Sequence, residues 1–140
     1  MASNGRFEFA FHLDLATGVP VYRQIIDQVT SGMATGSLKP GDQLPTVRQL
    51  AVDLAINPNT VVRAYRELEI RGILETQQGT GTFISNQKLT PDDGADRERR
   101  LDQIVGELVA RAGAGGFTVN DLMERLRDMQ PQPPPKKKGR

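Results

Sequence analysis

Hydrophobic residues recur at helical spacing from Pro20 onward, and the spacing predicts a first helix that ends near Gly36. Proline suits the first helical position because the N–H that it lacks would have no partner there. One stripe of this helix is apolar and consists of Val21, Tyr22, Ile25, Ile26, Val29 and Met33. This stripe should face a hydrophobic core.

Two shorter helices should follow a turn-rich connector at residues 36–42. Thr46 is a good N-cap for the second helix, and Gln49 completes a capping-box pattern. The third begins at Asn57-Pro58 and runs to about Arg71. Only Ala55-Ile56 separates the two helices, so they must cross steeply, as in a helix-turn-helix.

Short strands are predicted at residues 73–76 and 82–84, around a glycine-bearing hairpin tip at residues 77–81. Near the N-terminus, residues 7–15 alternate well enough for a strand, or for an arm that packs its aromatic side chains on the domain. A turn is expected at residues 14–18.

The second half of the chain predicts two more helices. A charged helix begins at Thr90-Pro91 and is broken at residues 113–116, and a last helix begins at Thr118 with Asp121. The fold class is therefore α+β, mainly α: a winged helix-turn-helix followed by two C-terminal helices. We expect a winged domain with its N-terminal arm at residues 1–86, a helical region at 87–129 and a disordered basic, proline-rich tail at 130–140.

Composition narrows the chemistry. The chain has no cysteine and only one histidine, His12, which argues against metal sites, cofactors and a histidine-dependent triad. The formal net charge is +1, and because Lys136, Lys137, Lys138 and Arg140 lie in the tail, residues 1–135 carry a net charge of −3. Binding to nucleic acid would thus need a locally concentrated basic face.

No apolar run approaches the roughly 20 residues that span a bilayer, and the N-terminus lacks the layout of a secretory signal. We therefore expect a cytoplasmic protein.

The third helix supplies the missing basic face. At about 100° per residue, its apolar positions Val61, Ala64, Tyr65 and Leu68 share one side. The opposite side carries Asn59, Arg63, Arg66 and Ile70, with Thr60 and Val62 on the flanks. Asparagine, threonine and arginine are the residue types that bond base edges and phosphates, although any of them also suits an ordinary solvated helix face.

Residues 20–84 resemble the DNA-binding domain of the GntR family of bacterial regulators, through PVYRQI, GSLKPGDQLPTVRQLA, NPNTVVRAYRELEIRGIL and GTGTFIS in that order. The resemblance implies that Arg48, Asn59, Thr60 and Arg63 contact DNA and that Gly79 lies against the minor groove or backbone. Asn59 stands where other branches often carry arginine, so base preference is not carried over. The full set of candidate DNA-binding residues is Thr46, Arg48, Asn57, Asn59, Thr60, Arg63, Gln78, Gly79 and Gly81.

The short C-terminal part resembles the YtrA-type branch, whose reduced C-terminal region serves dimerisation. The apolar face of the first C-terminal helix either lies back on the winged domain or pairs with a second chain, and pairing is favoured because one helix-turn-helix alone gives too little specific contact. The candidates for a homodimer contact are Leu101, Ile104, Val105, Leu108, Val109, Leu122, Met123 and Leu126. The resemblance implies a repressor of its own operon or a transporter operon, and a homodimer would bind a pseudo-palindromic double-stranded operator. Any small-molecule effector is unknown and would lack a separate domain.

Two other functions compete with this interpretation. The domain can be a winged-helix protein-interaction module without DNA, which the negative balance of residues 1–135 favours. An enzyme would need a nucleophile or an acid–base pair, and the sequence offers no convincing one. We therefore expect no enzymatic activity.

Overall fold

The computed structural model describes residues 9–86 and 94–130. The chain divides into two units, Met1–Gln87 and Lys88–Arg140. The first unit contains α1 (Val21–Thr35), β1 (Gln43–Leu44), α2 (Val47–Leu54), α3 (Pro58–Ile70), β2 (Leu74–Gln77) and β3 (Gly81–Ile84). The second contains α4 (Gly94–Ala114) and α5 (Val119–Met129).

The apolar stripe of α1 forms the centre of the first unit, as its spacing predicts. Ile25 and Val29 are completely buried, and Ile26 is nearly so. Pro20 takes the N-cap and not the first helical position, a difference of one residue, and Gly36 ends the helix as expected. The predicted helix is thus confirmed with a small shift at its start.

The connection between α2 and α3 is as tight as the sequence predicts. Thr46 and Gln49 form the capping box, with the Gln49 amide 3.1 Å from the Thr46 hydroxyl oxygen. Ala55 closes α2 in the left-handed region at φ 56°, which costs an L-residue about 1 kcal/mol. The Ile56 amide then donates back to the Ala51 carbonyl at 3.0 Å, and the chain enters α3.

Tyr65 fixes α3 to the start of α2. Its side chain is 4% exposed, and its hydroxyl donates a 2.7 Å hydrogen bond to the Pro45 carbonyl. Burial raises the pKa of the Tyr65 phenol well above its ordinary value. In the folded protein the phenol is therefore protonated at neutral pH and can donate this hydrogen bond.

The three strands form an antiparallel sheet in the order β1-β3-β2. In the hairpin, Leu74 pairs with Ile84 and Gln77 with Gly81, so β2 lies one residue later than predicted and β3 begins one residue earlier. The sequence interpretation missed β1, which is only two residues long and is defined by its pairing with β3.

The N-terminal arm packs on the first unit without forming a strand over its described residues 9–15. Phe9 and Phe11 meet edge to face with ring centroids 5.0 Å apart, and Phe11 joins the core. Gly32 permits this approach, because a Cβ there would lie 2.7 Å from the Phe9 ring. The strand alternative for residues 7–15 is wrong over this range, and the arm alternative is confirmed there.

Two glutamine side chains of α1 form the hydrogen bonds to the backbone of this arm that a neighbouring strand would otherwise form. The Gln28 side chain accepts from the His12 amide at 2.9 Å and donates to its carbonyl at 2.5 Å. One helical turn earlier, the Gln24 side chain accepts from the Asp14 amide at 2.8 Å and donates to its carbonyl at 2.9 Å. The arm therefore satisfies its backbone groups through side chains, and the predicted turn at residues 14–18 follows it.

The second unit is a helical hairpin. The predicted start of α4 at Thr90-Pro91 and the tail at 131–140 lie outside the described residues. A break was predicted at residues 113–116, but Gly113 and Ala114 still belong to α4, so the break begins later than predicted. α5 begins after Thr118, as predicted, and Thr118 and Asp121 form a capping box. Hydrogen bonds from the Thr118 amide and hydroxyl hold the pKa of the Asp121 carboxyl below its ordinary value.

The apolar rows of this hairpin lie at its surface. Within α4, Ile104 is 62% exposed and Leu108 is 38% exposed, and Met123 and Leu126 of α5 are each about half exposed. Among the described helices, none combines the length and apolar character needed to cross a bilayer.

Candidate nucleic-acid interface

The side of α3 that faces away from the core carries the polar residues predicted for it. Val61, Ala64, Tyr65 and Leu68 are all buried, at 4% exposure or less. On the other side Asn59, Arg63 and Arg66 are exposed, and Thr60 and Val62 are half-buried on the flanks. The division of this helix into a buried apolar face and an exposed polar face is therefore confirmed.

The N-terminal end of α3 is capped by Asn57 and is exposed. The Asn57 side-chain oxygen accepts from the Asn59 amide at 2.8 Å, and Pro58 follows as the first helical residue. The cap occupies the oxygen of the Asn57 amide group, which leaves its NH₂ group as the donor that Asn57 can offer to a partner. In the first turn of α3, Asn59 is exposed and Thr60 is half-buried.

Charges on α3 are sorted along its length. Its first turn contains no acidic residue, and both arginines of the exposed face precede the first glutamate in the sequence. At the other end, Glu67 pairs with Arg71 at 3.1 Å, and Glu69 accepts from the Thr76 hydroxyl. The N-terminal half of α3 is thus positive, and helix N-termini favour anions as well.

The guanidinium of Arg63 lies over an aromatic ring of another helix. Its guanidinium carbon lies 3.7 Å from the centroid of the Tyr22 ring, which projects from the first turn of α1. These two side chains border an open concavity of about 390 Å³, whose lining residues are Val21, Tyr22, Asn57, Asn59, Thr60 and Arg63. The structure therefore brings four of the candidate DNA-binding residues together around one hollow.

The start of α2 adds a second cation. Arg48 lies in the first turn of α2, is exposed, and forms no ion pair within residues 9–86 and 94–130. Glu67, the acidic residue of α3 that follows Arg66, is paired with Arg71 and not with Arg48. The Thr46 hydroxyl oxygen accepts in the capping box, so Thr46 has a structural role whatever else it binds.

The hairpin between β2 and β3 forms the wing. Gln78 and Gly79 lie exposed at its tip, where the Thr80 amide donates to the Gln77 carbonyl at 2.9 Å. Gly79 has φ 79°, which favours glycine. Gly81 has φ 139°, a backbone conformation that favours glycine, and a Cβ there would lie 2.5 Å from the side-chain Nε2 of Gln43, which would have to move.

This geometry is that of a winged helix-turn-helix with an uncovered third helix, and the comparisons with known proteins agree with it. Residues 21–84 match the family described as "Bacterial regulatory proteins, gntR family". HTH-type transcriptional repressor YtrA from Bacillus subtilis (strain 168) is 39% identical over 84% of this chain and 89% of its own length. The chain belongs to the GntR family.

Two further relatives are similar to this chain over most of its length. HTH-type transcriptional regulator Rv1152 from Mycobacterium tuberculosis is 43% identical over 81% of the chain and 88% of its own length. YtrA from Sulfolobus acidocaldarius, a GntR-family transcription factor, has a solved structure and a sequence 32% identical to this one. The two structures superpose with a TM-score of 0.54 over 71% of this chain and 97% of that chain. The similarity to YtrA-type regulators therefore extends beyond the helix-turn-helix.

Membership in the family settles the class of activity. The protein is a transcriptional regulator of the GntR family with a DNA-binding helix-turn-helix, and its relatives are regulators and not enzymes. The described residues contain no group of three or more histidine, cysteine, aspartate or glutamate side chains arranged to hold a metal ion.

Two residues of this surface were absent from the candidates drawn from the sequence. Tyr22 was assigned to the apolar stripe of α1, and its half-buried ring lies under Arg63. Gln43 supports the wing through a 3.3 Å hydrogen bond to the Thr80 carbonyl. Neither contact has a signal in the spacing of residues, because each joins segments distant in the chain.

Proposed function

We propose that this protein is a homodimeric, sequence-specific repressor that reads a pseudo-palindromic operator through α3, in its own operon or a transporter operon. The observation that supports this proposal best is the exposed edge of α3, with Asn59, Thr60 and Arg63 uncovered and no acidic residue in its first turn. The net charge of the chain does not support DNA binding, because the positive charge is concentrated locally, in the N-terminal half of α3.

In the proposed complex, the N-terminal half of α3 lies in the major groove. Arginine donates two parallel hydrogen bonds to guanine, and asparagine bonds both donor and acceptor atoms of adenine. Arg63 and Asn59 are therefore assigned to base edges, with Thr60 beside them. Asn57 offers its NH₂ group next to them, while its oxygen caps the helix.

Arg48 and the wing are assigned to the DNA backbone. In helix-turn-helix proteins the first helix crosses the backbone while the second enters the groove. Arg48 and Thr46 lie at the start of that first helix, α2. Gln78 and Gly79 are exposed at the tip of the hairpin, and we assign them to the minor groove or an adjacent phosphate. Gly81 acts on DNA only indirectly, by shaping the wing.

The proposed dimer contact is the apolar surface of α4 and α5. Leu101 and Val105 are each 47% exposed, next to the more exposed Ile104, and the half-buried Val109 and Leu122 extend the same rows. Apolar rows of this length on a small protein favour burial against another surface. A second copy of the chain would supply a second α3 at about 34 Å, one turn of DNA, which is the spacing of a two-fold operator.

The assignment of Arg63 and Arg48 is tested by DNA binding. Wild-type protein selects a duplex from a randomised library, and fluorescence anisotropy then compares the selected duplex with a scrambled one. We expect Arg63→Ala to lose at least about tenfold in affinity for the selected duplex and little for the scrambled one. Arg48→Ala should weaken both and reduce the slope of affinity against salt by about one.

Arg71→Ala is the matched control, because this arginine at the C-terminal end of α3 is already paired with Glu67. It should leave the preference for the selected duplex unchanged. A wild-type protein whose binding is insensitive to salt would instead favour the alternative, a winged-helix interaction module without DNA.

The dimer is tested by sedimentation. We expect Ile104→Lys to dissociate the protein to monomers and to weaken binding to a two-fold operator at least about tenfold, because a charge would be buried in the contact. Gln103→Lys places the same charge on the neighbouring residue of α4 and should leave a dimer. A wild-type protein that sediments as a monomer at all concentrations would contradict the proposed contact.

A further inference from the structure

The ring of Tyr22 lies under the Arg63 guanidinium at a distance that indicates a direct cation–π contact. The guanidinium carbon is 3.7 Å from the ring centroid, well inside the roughly 6 Å over which a cation and an aromatic face attract. Tyr22 is half-buried at the start of α1 and Arg63 is exposed on α3. A fixed ring therefore supports a side chain that is otherwise free to move.

Stacking of this kind leaves the hydrogen-bonding edge of arginine available. The five N–H donors of a guanidinium point outward in its plane, whereas the ring occupies only one face of that plane. Arg63 can therefore remain on Tyr22 while its edge donates to the O6 and N7 atoms of a guanine. Across residues 9–86 and 94–130, no other arginine lies over an aromatic ring.

The surroundings of the ring point toward the same partner. Tyr22 lines the concavity of about 390 Å³ together with Asn57, Asn59 and Thr60. Its ring thus lies beside the polar groups assigned to base edges, on the surface that faces a bound duplex. The long arginine side chain has many rotamers in solution, and a side chain that is already held loses less of this rotamer entropy on binding.

We propose that Tyr22 is a specificity-determining positioning residue, which holds Arg63 in the orientation that reads a base. The proposal rests on the proposed function, since it assigns to Tyr22 a role in the recognition made by α3. Tyr22 acts through Arg63: its ring sets the plane of the guanidinium and so favours the base whose two acceptors lie in that plane.

The test is a double-mutant cycle on the full-length protein, with the selected and scrambled duplexes as probes. Tyr22→Leu keeps an apolar side chain against the core and removes the aromatic face. It should reduce the ratio of the two affinities about fivefold, while the dependence on salt is unchanged because no phosphate contact is lost. Tyr22→Phe keeps the face and should stay within about twofold of wild type.

The cycle identifies Arg63 as the group through which Tyr22 acts. In an Arg63→Ala background, Tyr22→Leu should have no further effect on the ratio of affinities. Arg66 is the matched control, since it is exposed on the same helix and lies over no ring in the described ranges. In an Arg66→Ala background, Tyr22→Leu should retain its full effect. Equal losses for both duplexes, or an effect that persists without Arg63, would overturn the proposal.

A measurement without DNA separates this proposal from the proposed function. In the NMR spectrum, ring current should shield the Arg63 side-chain protons of wild type and Tyr22→Phe, and this shielding should disappear in Tyr22→Leu. Absence of shielding in wild type would overturn the positioning role even if the protein selects DNA. A wild-type protein that shows the shielding but prefers no sequence would instead remove the proposed function, and the role of Tyr22 with it.

Discussion

α2 and α5 both begin with a threonine capping box, yet only α2 packs into a core. Leu50 and Ala51 of α2 are buried among α1, α3 and the sheet, whereas α5, described along its whole length, has no buried residue. The same local signal therefore starts a helix in both units but does not determine what holds it. The winged unit is stabilised by its own side chains, whereas the helical hairpin has its apolar rows at the surface.

The largest expected contrast between the units comes from removing one leucine in each. Leu68 of α3 is completely buried, and Leu68→Ala should lower the free energy of unfolding of the winged unit by about 3–4 kcal/mol. Leu108 of α4 is 38% exposed, and Leu108→Ala should cost less than about 1 kcal/mol in a monomer. Both tyrosines lie in the winged unit and the chain has no tryptophan, so tyrosine fluorescence follows that unit alone.

Circular dichroism, which follows the helices of both units, completes this measurement. If the apolar rows are covered by a second copy, the cost of Leu108→Ala should grow with protein concentration. Equal costs for the two leucines in dilute solution would contradict the contrast between a packed unit and an unpartnered one.

Tyr65 tests whether polar contacts also hold the winged unit together. Tyr65→Phe leaves the buried Pro45 carbonyl without its donor and should cost about 1–2 kcal/mol. The phenol has its pKa raised by burial from the ordinary value of 10.0. Its contribution is therefore fully present below pH 10 and is lost as the unfolded phenol ionises above that pH.

Chemical denaturation below and above pH 10 tests whether the contribution of Tyr65 to the free energy of unfolding falls as the pH rises. Wild type should lose up to about 1.4 kcal/mol per pH unit more than Tyr65→Phe above pH 10. Parallel curves for the two proteins would mean that the phenol is solvated in the native state.

The two capping boxes offer the most closely matched comparison. Thr46→Ala and Thr118→Ala each remove a side chain that accepts from the third residue of its helix, at a cost of about 1 kcal/mol. We expect Thr46→Ala to shift the whole unfolding transition of the winged unit. Thr118→Ala should lower helix content before that transition, because α5 has no core to hold it. A shift of one common transition by both variants would show that the units unfold together.

The smallest effect is expected at Ala55. Glycine removes the strain of φ 56° but makes the unfolded chain more flexible, so Ala55→Gly should stabilise the winged unit by less than about 1 kcal/mol. Thermal unfolding checks this value. Destabilisation would mean that the Ala55 methyl group contributes packing that outweighs its backbone strain.

Patterns within one element were predictable from the sequence, and contacts between elements were not. The two faces of α3 follow from its helical period, because Val61, Ala64, Tyr65 and Leu68 repeat at the spacing of one buried side. The capping boxes of α2 and α5 lie within four residues, so they are visible in the sequence too.

The features that escaped prediction depend on partners distant in the chain. β1 has two residues, too few for a period, and exists because Gln43 and Leu44 pair with β3. The alternation of residues 7–15 left both a strand and a packed arm open, and the arm is decided by Gln24 and Gln28 of α1, whose side chains hydrogen-bond to its backbone. Likewise, the spacing of α1 assigns Tyr22 to its apolar stripe and gives no sign of the cation above its ring.

The separation of the two sides of α3 has an evolutionary consequence. The buried side of α3 contains four core positions, while the groups that we propose to meet DNA occupy different positions on the same thirteen-residue helix. If α3 reads DNA as proposed, substitutions at Asn59 or Arg63 change which sequence is preferred without weakening the core beneath them. After gene duplication, two copies of such a domain can diverge toward new operators through a few surface mutations, each acceptable to the fold on its own.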